Sequence, residues 1–375
     1  MTDSPANSRP YPPGQYPDLP PPAGSVGLIG WLRANLFSSV FNSVLTLLFA
    51  WLLYEFVVAA IDWFLLDAVV NADSRVACRK VGDGACWAVI TARVEQFTYG
   101  FYPEAERWRP NLAFVLLFVA LLPVLYDRTP HRRRLMLFSI AYPFIAGWLI
   151  YGGLGLKIVE TQVYGGFLLT LIVGVTGIFA SLPIGILLAL GRQSDLFAIR
   201  IICVTFIEFM RGVPLIALLF VASTMLNYFM PPGTSFNLLV RVLIMVTLFA
   251  SAYVAEVVRG GIQAIPRGQY EAADALGLSY WKSTWLITLP QALKISIPGL
   301  VNCFISLYKD TTLVVIIGLL DPLGIGRAVL ADAKWNGLST ETYLFCAVFF
   351  FASCFAMSRY SLWLEKRLNT EHRSE

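Results

Sequence analysis

Long uncharged stretches recur along this chain, and no other feature limits its fold so strongly. A helix of roughly 20 apolar residues crosses the hydrocarbon of a bilayer, where a backbone that does not pair its own polar groups is excluded. Runs of that kind occupy 36–70, 111–126, 135–156, 165–190, 199–230, 238–258, 295–320 and 343–364. The expected fold is therefore all-α and integral to the membrane, with about eight transmembrane helices. Composition agrees: of 375 residues 57% are apolar and only 14% charged, against about 25% charged in soluble domains. An ordinary soluble enzyme is excluded, and the net charge of +4, spread over loops, gives no basic face for nucleic acid.

Two of these runs need comment. In 36–70 the uncharged part, 36–54, suffices for one span, so Glu55, Asp62 and Asp67 mark the remainder as an extension into the far interface, with a second short span as the alternative. The run 199–230 is 32 residues, too long for one crossing. Its expected divider is Glu208-Phe-Met-Arg211-Gly-Val-Pro214, a charged pair three apart followed by Gly and Pro. The first half then reads as an amphipathic stretch at the interface and the second as the span.

Orientation follows from the basic residues. Arg128, Arg132, Arg133 and Arg134, between the second and third runs, belong on the cytoplasmic side. Alternation from there puts both termini, 191–200 and 259–294 in the cytoplasm, and 71–110 outside. The outside loop carries six Lys/Arg, which runs against the rule, offset by five carboxylates. Residues 1–30 read as a disordered, Pro-rich cytoplasmic tail and 367–375 as a second cytoplasmic tail, with no secretory signal at the start. Cys203, Cys303, Cys346 and Cys354 fall in apolar runs; Cys78 and Cys86 flank a polar stretch and have the spacing of a loop disulfide, which needs an oxidising compartment. Tryptophans and tyrosines such as Trp51, Tyr54, Trp63, Trp148 and Tyr151 fall near proposed span ends and read as interfacial anchors.

The repertoire of catalytic groups is thin. His131 and His372 are the only histidines and lie in basic segments, no Cys-x-x-Cys pair is present, and no P-loop pattern occurs. No catalytic residue and no metal ligand set is expected, and energy from ATP has to arrive through a partner.

The cytoplasmic segment 259–294 is patterned unlike an ordinary loop. Tyr270, Ala273 and Leu276 recur at helical spacing before Gly277, which suits a left-handed helix terminus, and Ser279 is placed to cap a second helix through Trp281 and Trp285. Periodicity alone leaves two readings open: a rigid elbow able to transmit a push, or an amphipathic segment resting on the bilayer.

Spacing goes further. Glu271-Ala272-Ala273, three residues, Gly277, nine residues, then Ile287-x-Leu289-Pro290 resembles the EAA signature of permease subunits in ATP-binding-cassette importers. The stretches 165–194, 208–214, 252–263 and 302–313 are similar to the polar-amino-acid branch of that family, and the first 160 residues resemble the longer permease of general L-amino-acid transporters of the Aap/Bzt type. The resemblance implies a five-span type I permease core over 161–366, preceded by an extension over 31–160 with about three spans. It implies that Glu271, Ala272, Ala273, Asp274 and Gly277 form a coupling helix docking on an ATPase, with Ile287, Leu289 and Pro290 fixing the return into the membrane. It also implies the partners: a second homologous permease in a heterodimer, two ATPase subunits that hold ATP-Mg, and a periplasmic binding protein that delivers an L-amino acid. This chain would bind no cofactor of its own and would sit in a bacterial inner membrane as a multi-pass protein.

Ionisable residues within spans are costly, roughly 2.5 to 3.5 kcal/mol even on lenient scales. Lys309 and Asp310 lie near the middle of 295–320, beside Thr311 and Thr312. Asn302, Ser306 and Asp310, spaced by four, form a polar stripe fit to line a substrate pathway; the competing reading has Lys309 and Asp310 neutralising charges on neighbouring helices. Glu208 with Arg211 and Glu256 with Arg259 read as interfacial ion pairs that position a gate. The outside loop is either a docking surface or a stabilising insert. An ion-coupled carrier is the rival class and predicts an inverted repeat, of which no convincing trace exists here.

Overall fold

In the computed structural model the described residues are 27–126, 128–225, 228 and 237–369; most of the Pro-rich tail, the end of the 199–230 run and residues 370–375 lie outside them. These residues are overwhelmingly helical, and the only β pairings among them are isolated bridges. Among the described residues seven helices are long and apolar enough to cross a membrane, eight when a bent pair is counted as one span. The chain divides into two compact units.

The first unit runs to Ala68 and includes Gly82–Ala85. It holds α1 (Gly27–Asn35) and α2 (Val40–Ile61). Ser39 caps α2, its Oγ accepting from the Asn42 N–H at 3.1 Å. The helix does not stop at Glu55. It continues to Ile61 and through a π-turn at Asp62–Leu66, so 40–66 is one continuous element, with no second span in it. A helix pays nothing for a single carboxylate in its backbone geometry, which is why Glu55 does not break it.

The second unit carries the rest. α3 (Arg75–Val81) and α4 (Ala88–Tyr99) are joined by a disulfide between Cys78 and Cys86, as expected from their spacing. α5 (Trp108–Leu125) and α6 (Arg132–Tyr151) follow as an antiparallel pair. The fully buried Arg109 ties this pair together: its guanidinium donates to the carbonyls of Leu149, Ile150 and Lys157 at 2.8, 3.2 and 2.7 Å and pairs with Glu106 at 3.2 Å. A buried cation is tolerated only when its donors are used this fully.

α7 (Gly166–Arg192) packs on α10 (Leu238–Gln263), and α10 on α13 (Leu289–Asp310). Small residues let these helices approach: a Cβ on Gly261 would run into the Ala292 carbonyl and the Ser296 side chain. Between α7 and α10 the long fifth run breaks where Pro214 predicts. α8 (Phe197–Gly212) and α9 (Leu215–Phe220), the latter prolonged by a π-turn at Val221–Met225, meet at 102°. The missing N–H of Pro214 and the extended Val213 before it end α8. The described part of the second half, Leu215–Met225, is shorter than a full crossing.

After α10 come α11 (Arg267–Ala275) and α12 (Tyr280–Ser283), which runs through a π-turn at Thr284–Thr288 straight into α13. A 3₁₀ segment, Thr311–Ile317, follows. α14 (Pro322–Ala331), a short apolar helix that the run-by-run reading had not separated, then precedes the final span, α15 (Ser339–Asn369). Asp321 caps α14 through the Gly324 N–H at 2.9 Å. Arg93 pairs with Asp332 at 2.6 Å, and the Arg75 N–H donates to the Lys334 carbonyl at 2.8 Å. The disulfide-closed insert is therefore fastened to the segment between α14 and α15.

Candidate functional site

The expected elbow forms, but with one arm different from the sequence reading. At the end of α11, Gly277 adopts φ +67°, the Leu278 N–H reaches the Ala273 carbonyl at 3.1 Å, and the Gly277 N–H reaches that of Asp274 at 2.9 Å. This reciprocal pair is a Schellman closure, which satisfies the orphan carbonyls of a helix end and requires a left-handed residue. Ala273 is buried beneath the helix, while Glu271, Ala272 and Asp274 face outward. Burial pushes the Tyr270 phenol above its ordinary pKa, and its hydroxyl lies 3.4 Å from the Ile262 carbonyl. Gln291 Nε2 donates to Gln269 Oε1 at 3.1 Å, bridging α11 to α13.

Two details are corrected. Ser279 occupies the N-cap position but makes no side-chain capping bond. Ile287, Leu289 and Pro290 do not sit at a turn back into the membrane; they lie inside one helical rod, Tyr280–Ile317. Pro290 lacks an N–H for the preceding turn, and the ladder adapts by widening to a π-turn, with the Leu289 N–H bonded to the Thr284 carbonyl. The second arm of the elbow is thus the start of a 38-residue helical rod, about 57 Å long at 1.5 Å per residue, longer than one crossing needs. Leu276, Tyr280, Trp281, Trp285 and Leu286 are all more than half exposed around the bend.

Along α13 the polar stripe faces a cavity. Asn302, Ser306 and Asp310 line a cavity of about 430 Å³ together with Phe249, Ala250, Tyr253 and Val254 of α10. That size falls within the range of small-molecule sites. Thr311 and Thr312 are not part of it. Their hydroxyls turn back to the Tyr308 and Lys309 carbonyls at 2.8 and 2.9 Å, closing the end of α13 where it tightens to 3₁₀. Among the described residues neither Lys309 nor Asp310 makes an ion pair, so the neutralising alternative finds no partner among them. A second cavity, about 350 Å³ and lined mostly by apolar residues of α5, α6, α7 and α10, offers no carboxylate or basic side chain.

Next to the polar cavity lies a charge cluster that sequence spacing described only in part. Glu256 and Arg259 pair as expected, at 2.9 Å. Glu208 and Arg211 do not pair with each other. Glu208 bonds Arg192 at 2.8 Å, Arg192 also bonds Glu256 at 2.7 Å, and Arg211 stands 3.6 Å from Glu256 and over the Tyr253 ring at 5.8 Å. Arg192, at the end of α7, was missed because a cation in the last turn of a helix is already explained by the macrodipole. Its role appears only when α7, α8 and α10 converge.

Outside these elements, Asp321 is fully buried, and burial pushes its carboxyl up to about 6. Its Oδ1 accepts the capping N–H, and its Oδ2 has no partner among the described residues.

Known proteins resemble this chain along most of its length. Residues 181–370 match the family model described as binding-protein-dependent transport system inner membrane component. The glutamate/glutamine/aspartate/asparagine transport system permease protein BztC of Rhodobacter capsulatus is 46% identical, over 94% of this chain and 96% of that one. The inner membrane amino-acid ABC transporter permease protein YhdY of Escherichia coli strain K12 is 50% identical, over 95% and 97% respectively. A crystal structure of an amino acid ABC transporter with histidines is 28% identical and covers 53% of this chain and 90% of that one, with a TM-score of 0.47. Similarity of that extent and level to full-length permeases, added to the family match across the charge cluster, elbow and cavity helices, makes this chain a member of the binding-protein-dependent transport system inner membrane component family, a multi-pass permease and not an ATP-hydrolysing subunit.

Proposed function

We propose that the chain is the permease subunit of an ATP-driven amino-acid importer that works by alternating access. Residues 161–366 act as the transport core and 31–160 as an extension. α11 is the coupling helix: Glu271, Ala272 and Asp274 present its outward face to a partner ATPase that holds ATP-Mg, and the exposed Leu276, Trp281 and Trp285 widen that footprint. The orientation that goes with this puts both termini and the elbow in the cytoplasm and the disulfide outside. Partners are a second, related permease, two ATPase subunits and a periplasmic binding protein that hands over an L-amino acid.

One observation carries the reading: the Schellman-closed elbow leads without a break into the helix that lines the polar cavity. A displacement at Gly277 is therefore delivered along a single rod to Asn302, Ser306 and Asp310. In the cavity Asp310 receives the substrate ammonium, while Asn302 and Ser306 supply neutral hydrogen bonds. The test is purification of the complex from membranes, reconstitution with its binding protein, and parallel assay of ATP hydrolysis and amino-acid uptake. Asp310→Asn is expected to lower uptake or change its selectivity while the subunits stay associated. An unchanged substrate profile removes Asp310 from the pathway, and absence of any ATPase from the purified complex removes the function.

A further inference from the structure

The apolar cavity lies where the α5–α6 pair meets α7 and α10. Small residues line it on the side of the pair, Ala113 of α5 and Ala146 and Gly147 of α6, and about 350 Å³ is left between the helices. Hydroxyls that could wet this space are engaged by its own walls. Tyr142 donates to the Ala113 carbonyl at 3.0 Å, the Tyr164 hydroxyl lies 3.0 Å from the Val159 carbonyl, and the Thr161 hydroxyl accepts from Asn237 Nδ2 at 2.5 Å. Among the described lining residues only Tyr151 and Thr176 are left to offer a hydroxyl. Ordered water needs about two to four polar partners, so the cavity is dry.

Its shape is that of one leaflet. On α6 the lining runs from Tyr142 to Tyr151 in the second half of that span, about 13 Å along the axis, close to half of the roughly 30 Å of hydrocarbon. α7 and α10 contribute from the first halves of theirs, Leu168 to Thr176 and Leu239 to Leu243, so the cavity keeps to one side of the midplane. Gly147 and Tyr151 of α6 and Val240 of α10 are the lining residues that are also exposed, which places the opening between these two helices. Trp148 and Tyr151 are exposed at the same end of α6 and are of the types that settle at headgroup level. One end of the cavity therefore meets the interface, and its length follows the acyl chains.

A void at this depth deprives its lining of dispersion contacts, on which helix packing in a membrane rests. A cavity of about 150 Å³ accepts a benzene ring, so at the same packing 350 Å³ holds about fourteen carbons. From volume, length, dryness and depth together we infer that the cavity is the seat of one acyl chain of a membrane phospholipid, lying along α6 and filling the gap between the α5–α6 pair and α7 and α10. The site needs only that these four helices span the bilayer, whichever way they are inserted.

The test places the full-length chain, with the subunits that copurify with it, in nanodiscs of phosphatidylcholine. A minor fraction of the lipid carries a diazirine near the middle of one acyl chain; after photolysis the adducts are mapped by peptide mass spectrometry. Yield at Leu117, Ala146, Leu171 and Leu243 is expected to saturate at a low fraction of probe, whereas at Phe118 and Leu137, exposed and outside the cavity, it rises in proportion. Gly147→Phe puts a ring into the opening: a Cβ there meets nothing within 4 Å, and the change removes a glycine from a helix interior. Yield at the lining is then expected to fall about 10-fold, as for an overfilled site, with Phe118 and Leu137 unchanged. An unchanged yield at the lining in that variant overturns the site. Should the variant fold poorly, the native chain decides alone: lining yields that stay proportional to the probe, or are no higher than at Phe118 and Leu137, mean that lipid does not fill the space, and also overturn the site. Displacement of the probe by dodecane as readily as by unlabelled phosphatidylcholine rejects a phospholipid as the occupant.

Discussion

Gly277 offers the sharpest separation of backbone from surface. A Cβ built on it meets nothing within 4 Å, so substitution brings no clash inside the chain, and the whole penalty is the left-handed φ of +67°. For an ordinary L-residue that conformation costs about 1–2 kcal/mol, and for a β-branched one about 3 kcal/mol. Asparagine tolerates it at little cost. Since 1.4 kcal/mol is a factor of ten in an equilibrium, Gly277→Ala is expected to open the elbow about 10-fold more often and Gly277→Val about 100-fold. In proteoliposomes with partner subunits, uptake per ATP hydrolysed should fall in the order Gly, Asn, Ala, Val, with assembly unchanged. If the Asn variant is as defective as the Val variant, the requirement is space against a neighbour and not backbone geometry. If the Val variant couples normally, the elbow is not the transmission point.

Three further outcomes follow from the geometry. Replacing Cys78 and Cys86 by Ser removes closure of a short loop, whose separation is 8 residues; this is expected to cost about 2.5 kcal/mol in thermal unfolding, and alkylation of the native chain should label neither cysteine before reduction. Asp321 has a folded pKa of about 6, above the ordinary 3.8. The folded state therefore favours the protonated form; that contribution is full below pH 4 and is lost as pH rises through 6. Asp321→Asn keeps an acceptor for the Gly324 N–H and is expected to raise the midpoint of unfolding at pH 7.5, by up to about 3 kcal/mol, with the gain vanishing near pH 4; a gain independent of pH contradicts the assignment. Arg192→Met removes the cation shared by Glu208 and Glu256, and a double-mutant cycle with Glu256→Gln should give a coupling of about 0.5–3 kcal/mol; purely additive effects dissolve the cluster.

Spans and elbow were legible because each is dictated locally. Hydrocarbon thickness sets run length, Pro214 stops a helix wherever it stands, and only a residue at ease in the left-handed region closes α11 at Gly277. The polar stripe of α13 was equally readable, since four-residue spacing is a property of one helix. What escaped depends on neighbours. Three-apart spacing made Glu208 and Arg211 look like partners, yet Arg192 from another helix takes the carboxylate, because convergence at the end of α7 offers a shorter contact. Thr311 and Thr312 looked like pathway residues by adjacency to Asp310, but their hydroxyls satisfy the carbonyls of an ending helix first. α14 was hidden because its ten residues are too few to register as a span.

The position of Tyr253 connects cavity and charge cluster in a way neither explains alone. Tyr253 lines the cavity, and Arg211 stands over its ring. One turn further along α10, Glu256 holds Arg192, Arg211 and Arg259, and the same helix ends at Gln263, four residues before α11 begins. α10 therefore carries, in order, a wall of the cavity, the hub of the ion cluster and the near arm of the elbow, while α13 carries the far arm and the opposite wall. In the proposed coupling, motion imposed at the elbow reaches both walls. In the proposed mechanism the hub, which ties α10 to α7 and α8, holds the α10 wall, and the opening movement falls to α13. Loosening the hub should thus reduce the selectivity of opening more than its ease: Arg192→Met is expected to raise basal ATP hydrolysis in the absence of substrate while leaving maximal uptake within about 2-fold, a factor worth only about 0.4 kcal/mol. Loss of uptake without a basal rise would place the cluster in the pathway itself.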